Sequence, residues 1–431
     1  MSIPAQFDDE ADDGVERKTG PAAWYTLAIL TLIYTLHAVD RSVMSVVIEP
    51  IKKEFSLGDG DLGILTGLAF GLTYAIAGLP LGYLIDRVDR RRLLSVLVAV
   101  WSGCTALCGI AQSYASLVAA RLAVGMTEAG GAPTALSMIG DLFPPRRRST
   151  AIGVFWASTA LGTAASFILG SQIAVNHGWR TAFLVAGLPG LVIAALLFFT
   201  VAEPRRSGAG KQAAPPLRET LRFVLRRPFF VHVFVGMTLN SMMLSGVLVW
   251  QASFLIRVHH LSLAQAGLLA GLAAGIFGGI GSLLGGPLGD RVFKRGGLAA
   301  LPLAAACTTL VSLATGLIFL LSNSLIVALA GLIAFEMIVR GYTAPGYSAI
   351  LGTVQPRMRG ISVSALQIAT NLIGYGLGPF IAGVVSDRVG GAEGIRWGLA
   401  ALMLTGAWGC IHYLLAWRAG LRAAPEAGEA A

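Results

Sequence analysis

Apolar stretches of roughly 20 residues recur along almost the whole chain, each closed by a short polar, glycine- or proline-containing interruption. That length matches the roughly 30 Å hydrocarbon thickness of a bilayer for a helix rising about 1.5 Å per residue. The stretches begin near Trp24, Leu62, Leu93, Ala115, Thr150, Thr181, Phe229, Ala266, Leu298, Leu325, Ile361 and Trp397. The pattern predicts an all-α membrane protein of twelve transmembrane helices, because a helix is the spanning form that closes its backbone hydrogen bonds within one segment. The longest polar interruption, EPRRSGAGKQAAPPLRETLRFVLRR from Glu203 to Arg227, separates a first six-helix bundle over 24–202 from a second over 229–418. The linker 203–228 is expected to be cytoplasmic and to carry a short surface helix at Leu217–Leu225. Residues 1–23 and 419–431 are expected to be cytoplasmic tails.

Composition agrees with this pattern. The 431 residues are 55% hydrophobic and 13% charged, with a mean hydropathy of +0.72, whereas a soluble chain carries about a quarter charged residues. A net charge of +9 would suit nucleic acid, but its distribution does not. With the N-terminus in the cytoplasm, 23 of the 32 Lys and Arg fall in cytoplasmic segments, 6 outside and 3 (Arg41, Arg121, Arg340) within helices. This is the positive-inside pattern, with both termini inside, and it leaves some attraction to anionic lipid. The acidic opening FDDEADD lacks the basic-then-apolar order of a cleaved signal, so the first helix is the expected insertion signal. The short loops suit a bacterial inner membrane. The cysteines (Cys104, Cys108, Cys307, Cys410) lie in apolar spans without metal-ligand spacing and read as packing residues. No phosphate-loop spacing and no Ser–His–Asp or metal constellation is present. An enzyme, an ATP-driven pump, a metal and an organic cofactor are therefore not expected; a proton gradient is the expected energy source.

The two halves repeat each other. GYLIDRVDRRR at Gly82–Arg92 matches GPLGDRVFKRG at Gly286–Gly296, an offset of 204, and LGILTGL at Leu62 matches AGLLAGL at Ala266 with the same offset. Pro133 and Pro144 match Pro345 and Pro356 at an offset of 212, and Trp179-Arg180 is echoed by Ile395-Arg396. Six-helix repeats related by an axis along the membrane normal are a secondary-transporter architecture, with the solute site at mid-membrane between the halves.

On these motifs the chain resembles the major facilitator superfamily. The paired loops Gly82-x3-Asp86-Arg87-x2-Arg90-Arg91-Arg92 and Gly286-x3-Asp290-Arg291-x2-Lys294-Arg295 carry the resemblance, which covers Trp24 to about Arg418. Two stretches, DRSVMSVVIEPIKKEFSLGDGDLGIL from Asp40 and RLAVGMTEAGGAPTALSMIGDLFPPRRRSTAIG from Arg121, resemble its Spinster branch, whose animal members export sphingosine-1-phosphate or lysophospholipids. The resemblance implies that Asp86, Arg87, Arg90 and Asp141 form a cytoplasmic gate that locks the two halves when the cavity faces out, with Asp290 and Arg291 as a weaker second clasp.

Ionic side chains at hydrocarbon depth are functional-site candidates by default. Counted along the helices, Asp40 lies roughly 12 Å and Arg121 roughly 9 Å below the outer surface, and Glu128 roughly 20 Å, near the midplane. Arg121 and Glu128 are two turns apart on one face, and Gly125 between them leaves room for a close neighbour. Asp40 and Glu128 are the expected proton carriers, with Arg121 and Arg41 as competing partners; a static buried ion pair fixing helix packing is the alternative. Arg340 occupies the place of Glu128 in the second half, where it could hold an anionic headgroup or be neutralised by Glu336 one turn earlier. Tyr34, His37, Trp156, Trp250 and Asn371 are further candidates to line a substrate site with Arg41 and Glu128. His37 could also relay a proton or be merely hydrogen-bonded, and the tryptophans could be packing residues or interface anchors.

The function expected is proton-coupled transport by alternating access of an amphipathic anionic lipid, a lysophospholipid or sphingoid phosphate, by a monomer in the lipid bilayer. A proton-coupled carrier of a small organic anion or drug is the alternative. A transporter-like sensor that binds without moving solute is a third possibility.

Overall fold

The computed structural model describes residues 20–85, 87–205 and 216–428, and every regular element among them is helical. In the first half α1 is Pro21–Val46, and the far-side helix Ile48–Phe55 follows it. Next, α2 runs through Asp59–Gly63, a π-turn Ile64–Leu68 and Ala69–Ile85, and α3 is Arg90–Cys108. The crossing α4 is split into Tyr114–Glu128 and Gly131–Leu142, and Pro145–His177 and Trp179–Thr200 are α5 and α6. The expected linker helix is present at Leu217–Leu225. In the second half α7 is Pro228–His259, and α8 begins as Leu263–Gly271 with a π-turn at Leu272–Phe277. From there α8 runs to Gly296, and α9 runs from Leu298 to Leu321. Leu325–Val339, a 3-10 turn Arg340–Tyr342 and Thr343–Thr353 make α10. Arg359–Ala369, a π-turn Thr370–Leu377 and Gly378–Val389 make α11, and Gly394–Gly428 is α12. The helix α12 thus continues through most of 419–431, which the sequence reads as a tail. Proline opens α1, α5 and α7, where its missing N–H has no intrahelical partner to lose.

Ten helical runs among the described residues are long and apolar enough to cross a membrane. One of them, Leu263–Leu321, is two crossings. Along α8, Gly281 meets Met337 and Gly289 meets Pro345, so α8 runs parallel to α10. Along α9, Gly331 meets Phe319 and Gly352 meets Leu298, so α9 runs antiparallel to α10. The reversal falls at Gly297, whose φ of 64° is a left-handed conformation that glycine adopts without a Cβ clash. The broken α4 is the remaining crossing; its pieces of 15 and 12 residues are each too short to span alone. The total is the twelve that the hydropathy pattern predicts, and an even count puts both described ends on one face, the terminal face. The opposite side is the far face.

The halves are not joined equally along their length. On the far side one apolar cluster spans both, from Val47, Leu62 and Phe167 to Trp250, Phe254 and Leu399. Towards the terminal face the clusters separate. One around Trp101, Val124, Met138 and Phe155 belongs to the first half, and one around Met237, Leu301, Ile350 and Tyr413 to the second. Small residues explain the far-side closure. A Cβ at Gly63, Gly67 or Gly71 of α2 would strike backbone of α11 at Phe380, Gly376 or Asn371. A Cβ at Gly267, Gly271 or Gly275 of α8 would strike α5 at Ser171, Ile168 or Ala164. These two triplets are related by the offset of 204, so LGILTGL and AGLLAGL repeat because both must bring a helix of one half against a helix of the other. Nearer the terminal face, Gly78, Gly82 and Gly286 have nothing within 4 Å of such a Cβ. The molecule is closed on the far side and opens towards the terminal face.

Candidate functional site

Three ionic residues of α1 and α4 meet in the interior of the first half. Asp40, Arg121 and Glu128 are each at most 1% exposed. The bilayer cannot hydrate them and the helices enclose them, so they face one another and the polar edges of α1 and α3. Arg121 Nη1 donates to the main-chain oxygen of Asp40 at 3.4 Å, and its guanidinium lies 5.7 Å from the Phe70 ring centroid. Glu128 Oε2 lies 3.1 Å from His37 Nε2. His37 stacks on Tyr34 with ring centroids 4.6 Å apart and an interplanar angle of 5°, and Tyr34 packs on Phe155 and Trp156. Among the described residues the Glu128 carboxyl has the His37 imidazole beside it and the Asp40 carboxyl the Thr105 hydroxyl, and neither has an arginine nitrogen within 4.0 Å. The expected pairing of these carboxylates with Arg121 and Arg41 is therefore not the one present. Arg121 is spent on a backbone carbonyl, and the nearest basic group to Glu128 is an imidazole. Buried polar groups without partners are costly and mark places where protons or ligands come and go.

Arg41 lies one residue on from Asp40 and so points elsewhere, into the seam between halves. Its Nη2 donates to Asn371 Oδ1 at 3.3 Å, and its guanidinium sits 4.6 Å from the Phe70 centroid and 4.2 Å from that of Tyr375. Among the described residues it has no carboxylate within 4.0 Å. The structure thus joins two candidates, Arg41 and Asn371, that lie 330 residues apart. It adds Phe70 and Tyr375, which no sequence signal separates from other aromatic residues in apolar spans.

In the second half Arg340 sits in the 3-10 turn that breaks α10, as Glu128 sits at the break of α4. Its Nη2 lies 3.0 Å from Glu336 Oε2, so the intrahelical neutralisation is present. Arg340 keeps 20% side-chain exposure while Glu336 has none. Trp250 is corrected: it is wholly buried and its indole N–H donates to the Pro379 carbonyl at 3.0 Å, so it packs α7 on α11 and lines no open space. Trp156 is 41% exposed beside Tyr34.

Of the expected gate residues at the terminal face, Arg90 and Asp141 are joined. Asp86 lies outside the described residues, and Arg87 stacks on Tyr83, 3.7 Å from the ring centroid. Arg90, 2% exposed, donates to Asp141 at 2.5 Å, to Glu203 at 2.7 Å, to Ser137 and to the Pro204 carbonyl. These partners lie on α4 and just after α6, so Arg90 ties the first half together and anchors the start of the linker. Asp290 and Arg291 are exposed. No clasp joins the halves through these described residues, which agrees with a molecule open on this side. Replacing Arg90 by Ala removes the cation that the partly buried Asp141 and Glu203 carboxylates share and is expected to lower stability by about 3 kcal/mol. Denaturant unfolding in detergent checks this; an unchanged midpoint would assign the network no structural role.

The far face carries a network that the sequence reading did not single out. Arg257 at the end of α7 donates to both oxygens of Asp59, at 2.6 and 2.9 Å, and to Glu49 at 2.9 Å. Asp59 also accepts from Lys52 and from Ser386. The carboxylate of Asp387 on α11 accepts from the main-chain N–H groups of Asp59 and Gly60 at 2.7 Å each, so the first turn of α2 is capped by the other half. Beside it, Glu54 receives Arg180 and Trp179 at 2.6 to 2.7 Å, which holds its carboxyl below the usual range. The repeat of Trp179-Arg180 was legible, but its partner was not.

This geometry can be set beside known proteins. The Major Facilitator Superfamily family model matches residues 30–379. An MFS-type efflux pump of Mycolicibacterium smegmatis is 30% identical over 425 residues, covering 98% of each chain. Protein spinster homolog 1 of Bos taurus is 30% identical over 271 residues, 60% of this chain and 51% of its own length. The crystal structure of a bacterial homologue of the human lysosomal transporter Spinster, inward-facing and unoccupied, superposes with a TM-score of 0.83 at 28% identity, covering 93% of this chain and 98% of that one. The family match, the fold and a charged interior beneath a one-sided opening agree: the chain belongs to the major facilitator superfamily and is an integral membrane transporter of the Spinster type.

Proposed function

We propose that this transporter is proton-coupled and moves an amphipathic anionic lipid by alternating access, working as a monomer. The terminal face is then cytoplasmic, both termini lie inside, and the membrane is a bacterial inner membrane; the excess of arginine on that face supports this orientation. The observation that carries the coupling is the buried group of Asp40, Glu128, His37 and Arg121. Among the described residues its carboxyl oxygens have an imidazole and a hydroxyl beside them and no arginine within 4.0 Å, so gaining or losing a proton breaks no ion pair with a permanent cation. Arg41 stands at the seam with only neutral partners among the described residues and is the cation offered to an anionic headgroup, with Phe70 and Tyr375 beside it for the apolar part. Likeness to Spinster proteins supports a lipid. The alternative, a small organic anion or drug, is favoured by the efflux-pump relative that covers nearly the whole chain.

Gradient-driven flux of a labelled lysophospholipid into or out of proteoliposomes tests the reading, run beside a labelled monocarboxylate. The native chain is expected to move the lipid. Arg41→Gln is expected to weaken its binding about tenfold to a hundredfold, the value of a charge-assisted hydrogen bond. A native chain that moves the carboxylate and no lipid under either gradient would transfer the proposal to small anions.

A further inference from the structure

The helix Leu217–Leu225 in the linker is not part of either bundle and has a use that transport does not explain. One side of it is docked. Thr220 and Val224 are 1% and 4% exposed, Val224 belongs to the apolar cluster of the second half, and Glu219 pairs with Arg357 at 3.4 Å. The other side is bare. Arg218, Leu221, Arg222, Leu225 and Arg226 fall at the helical spacings of three and four and make one continuous exposed stripe. Leu225 is 67% and Leu221 37% exposed. Leucines between arginines are a poor surface for water and a good one for a bilayer boundary, where the apolar side chains enter and the guanidinium groups meet phosphates.

Position and charge identify what covers this stripe. Two residues separate the end of the helix from Pro228, which opens α7, so it lies within about a turn of the level at which the chain enters the membrane. The first half could reach it only when the terminal face closes, and there it would present Arg87, Arg146 and Arg147, and Arg91 and Arg92 with the single carboxylate of Asp89 between them, a net basic surface. Like charges oppose that contact. The single acidic residue of the helix, Glu219, is already used by Arg357.

We infer that the linker helix rests on the bilayer leaflet at the terminal face, with Leu221 and Leu225 at the headgroup–acyl boundary and Arg218, Arg222 and Arg226 against anionic lipid phosphates. The contact holds the linker, and through Glu219–Arg357 the second half, to a fixed level of the membrane while the first half rocks. It is independent of which solute is carried.

The test uses the full chain, with its four cysteines replaced and a nitroxide placed at Leu225→Cys, in phosphatidylcholine vesicles with and without phosphatidylglycerol. With phosphatidylglycerol the label is expected to be reached by oxygen and shielded from an aqueous nickel chelate. Neutralising R218Q, R222Q and R226Q together is expected to reverse this, since each arginine near an anionic surface is worth about fivefold in partition and three about a hundredfold. A label equally open to the chelate in both vesicles overturns the inference. So does a shielded label whose spin–spin distance to one at Arg147→Cys shows it packed on the first half. The native-cysteine chain supplies a second readout: phosphatidylglycerol raises its melting temperature and not that of the triple variant, and equal shifts overturn the inference.

Discussion

Glu128→Gln is expected to abolish solute accumulation driven by a proton gradient while leaving solute exchange without a gradient intact. The amide has the shape of the acid and can still meet His37 Nε2, 3.1 Å from the present oxygen, but it cannot take up or release a proton. Asp40→Asn is expected to do the same, because Asp40 is equally buried and likewise has no arginine nitrogen within 4.0 Å among the described residues. With one proton coupled, each pH unit supports about tenfold accumulation, so a gradient of two units separates native from variant by about a hundredfold. Accumulation and exchange measured on the same proteoliposomes distinguish a carrier of protons from a structural charge. If both variants accumulate solute as the native chain does, the coupling assignment fails. If exchange and folding are lost together with accumulation, the group is a packing device.

Arg257→Gln is expected to open the far face. The guanidinium holds both oxygens of Asp59 and one of Glu49, and Asp59 has only 3% side-chain exposure. Removing the cation leaves a buried carboxylate without its main partner, a loss of about 3–5 kcal/mol that is confined to the far-closed state. The equilibrium between the two openings shifts by more than about a hundredfold. Arg257→Lys keeps the charge and loses the two-pronged geometry, so it is expected to fall between. Spin–spin distances between labels at the exposed residues Lys53 and Ser324, on opposite halves, report the change. The native chain is expected to give one short distance and Arg257→Gln a predominantly long one. An unchanged distribution would mean that the glycine contacts of α2 with α11 and of α5 with α8 close this face without the charges.

Much of this architecture was legible before any coordinates, and for a definite reason. Lipid forces each crossing to close its own hydrogen bonds, so twelve apolar runs become twelve helices whatever they pack against. The turn at Gly297 and the break at Ala129–Gly130 show the rule at work, since hydropathy counts the crossings even where the helices run on or split. The offset of 204 announced two equivalent halves. Gly63, Gly67 and Gly71, with Gly267, Gly271 and Gly275, are the physical content of that repeat. The amphipathic helix at Leu217–Leu225 was readable for the same local reason. Depth along a helix is also local, so Asp40, Arg121 and Glu128 could be assigned to the membrane interior from spacing alone.

Partners were not local. Depth arithmetic brought Asp40 level with Arg121, but whether the guanidinium meets a carboxylate or a carbonyl depends on rotations about α1 and α4 that no hydropathy pattern records; it met the carbonyl. Glu128 went to His37, and Arg41 left its neighbours for Asn371 across the seam. Arg90 meets Asp141 of its expected cluster and also binds Glu203, 113 residues on, because the end of α6 folds back beside α3. Asp59, Arg257 and Asp387 looked like ordinary charges at helix ends, yet they meet across 198 and 328 residues to close the far face. The chain specified its helices through their own backbone and the solvent around them. Contacts between residues far apart in sequence, which exist only once the helices are packed, chose the partners of Arg41, Arg90, Arg121, Glu128 and Arg257.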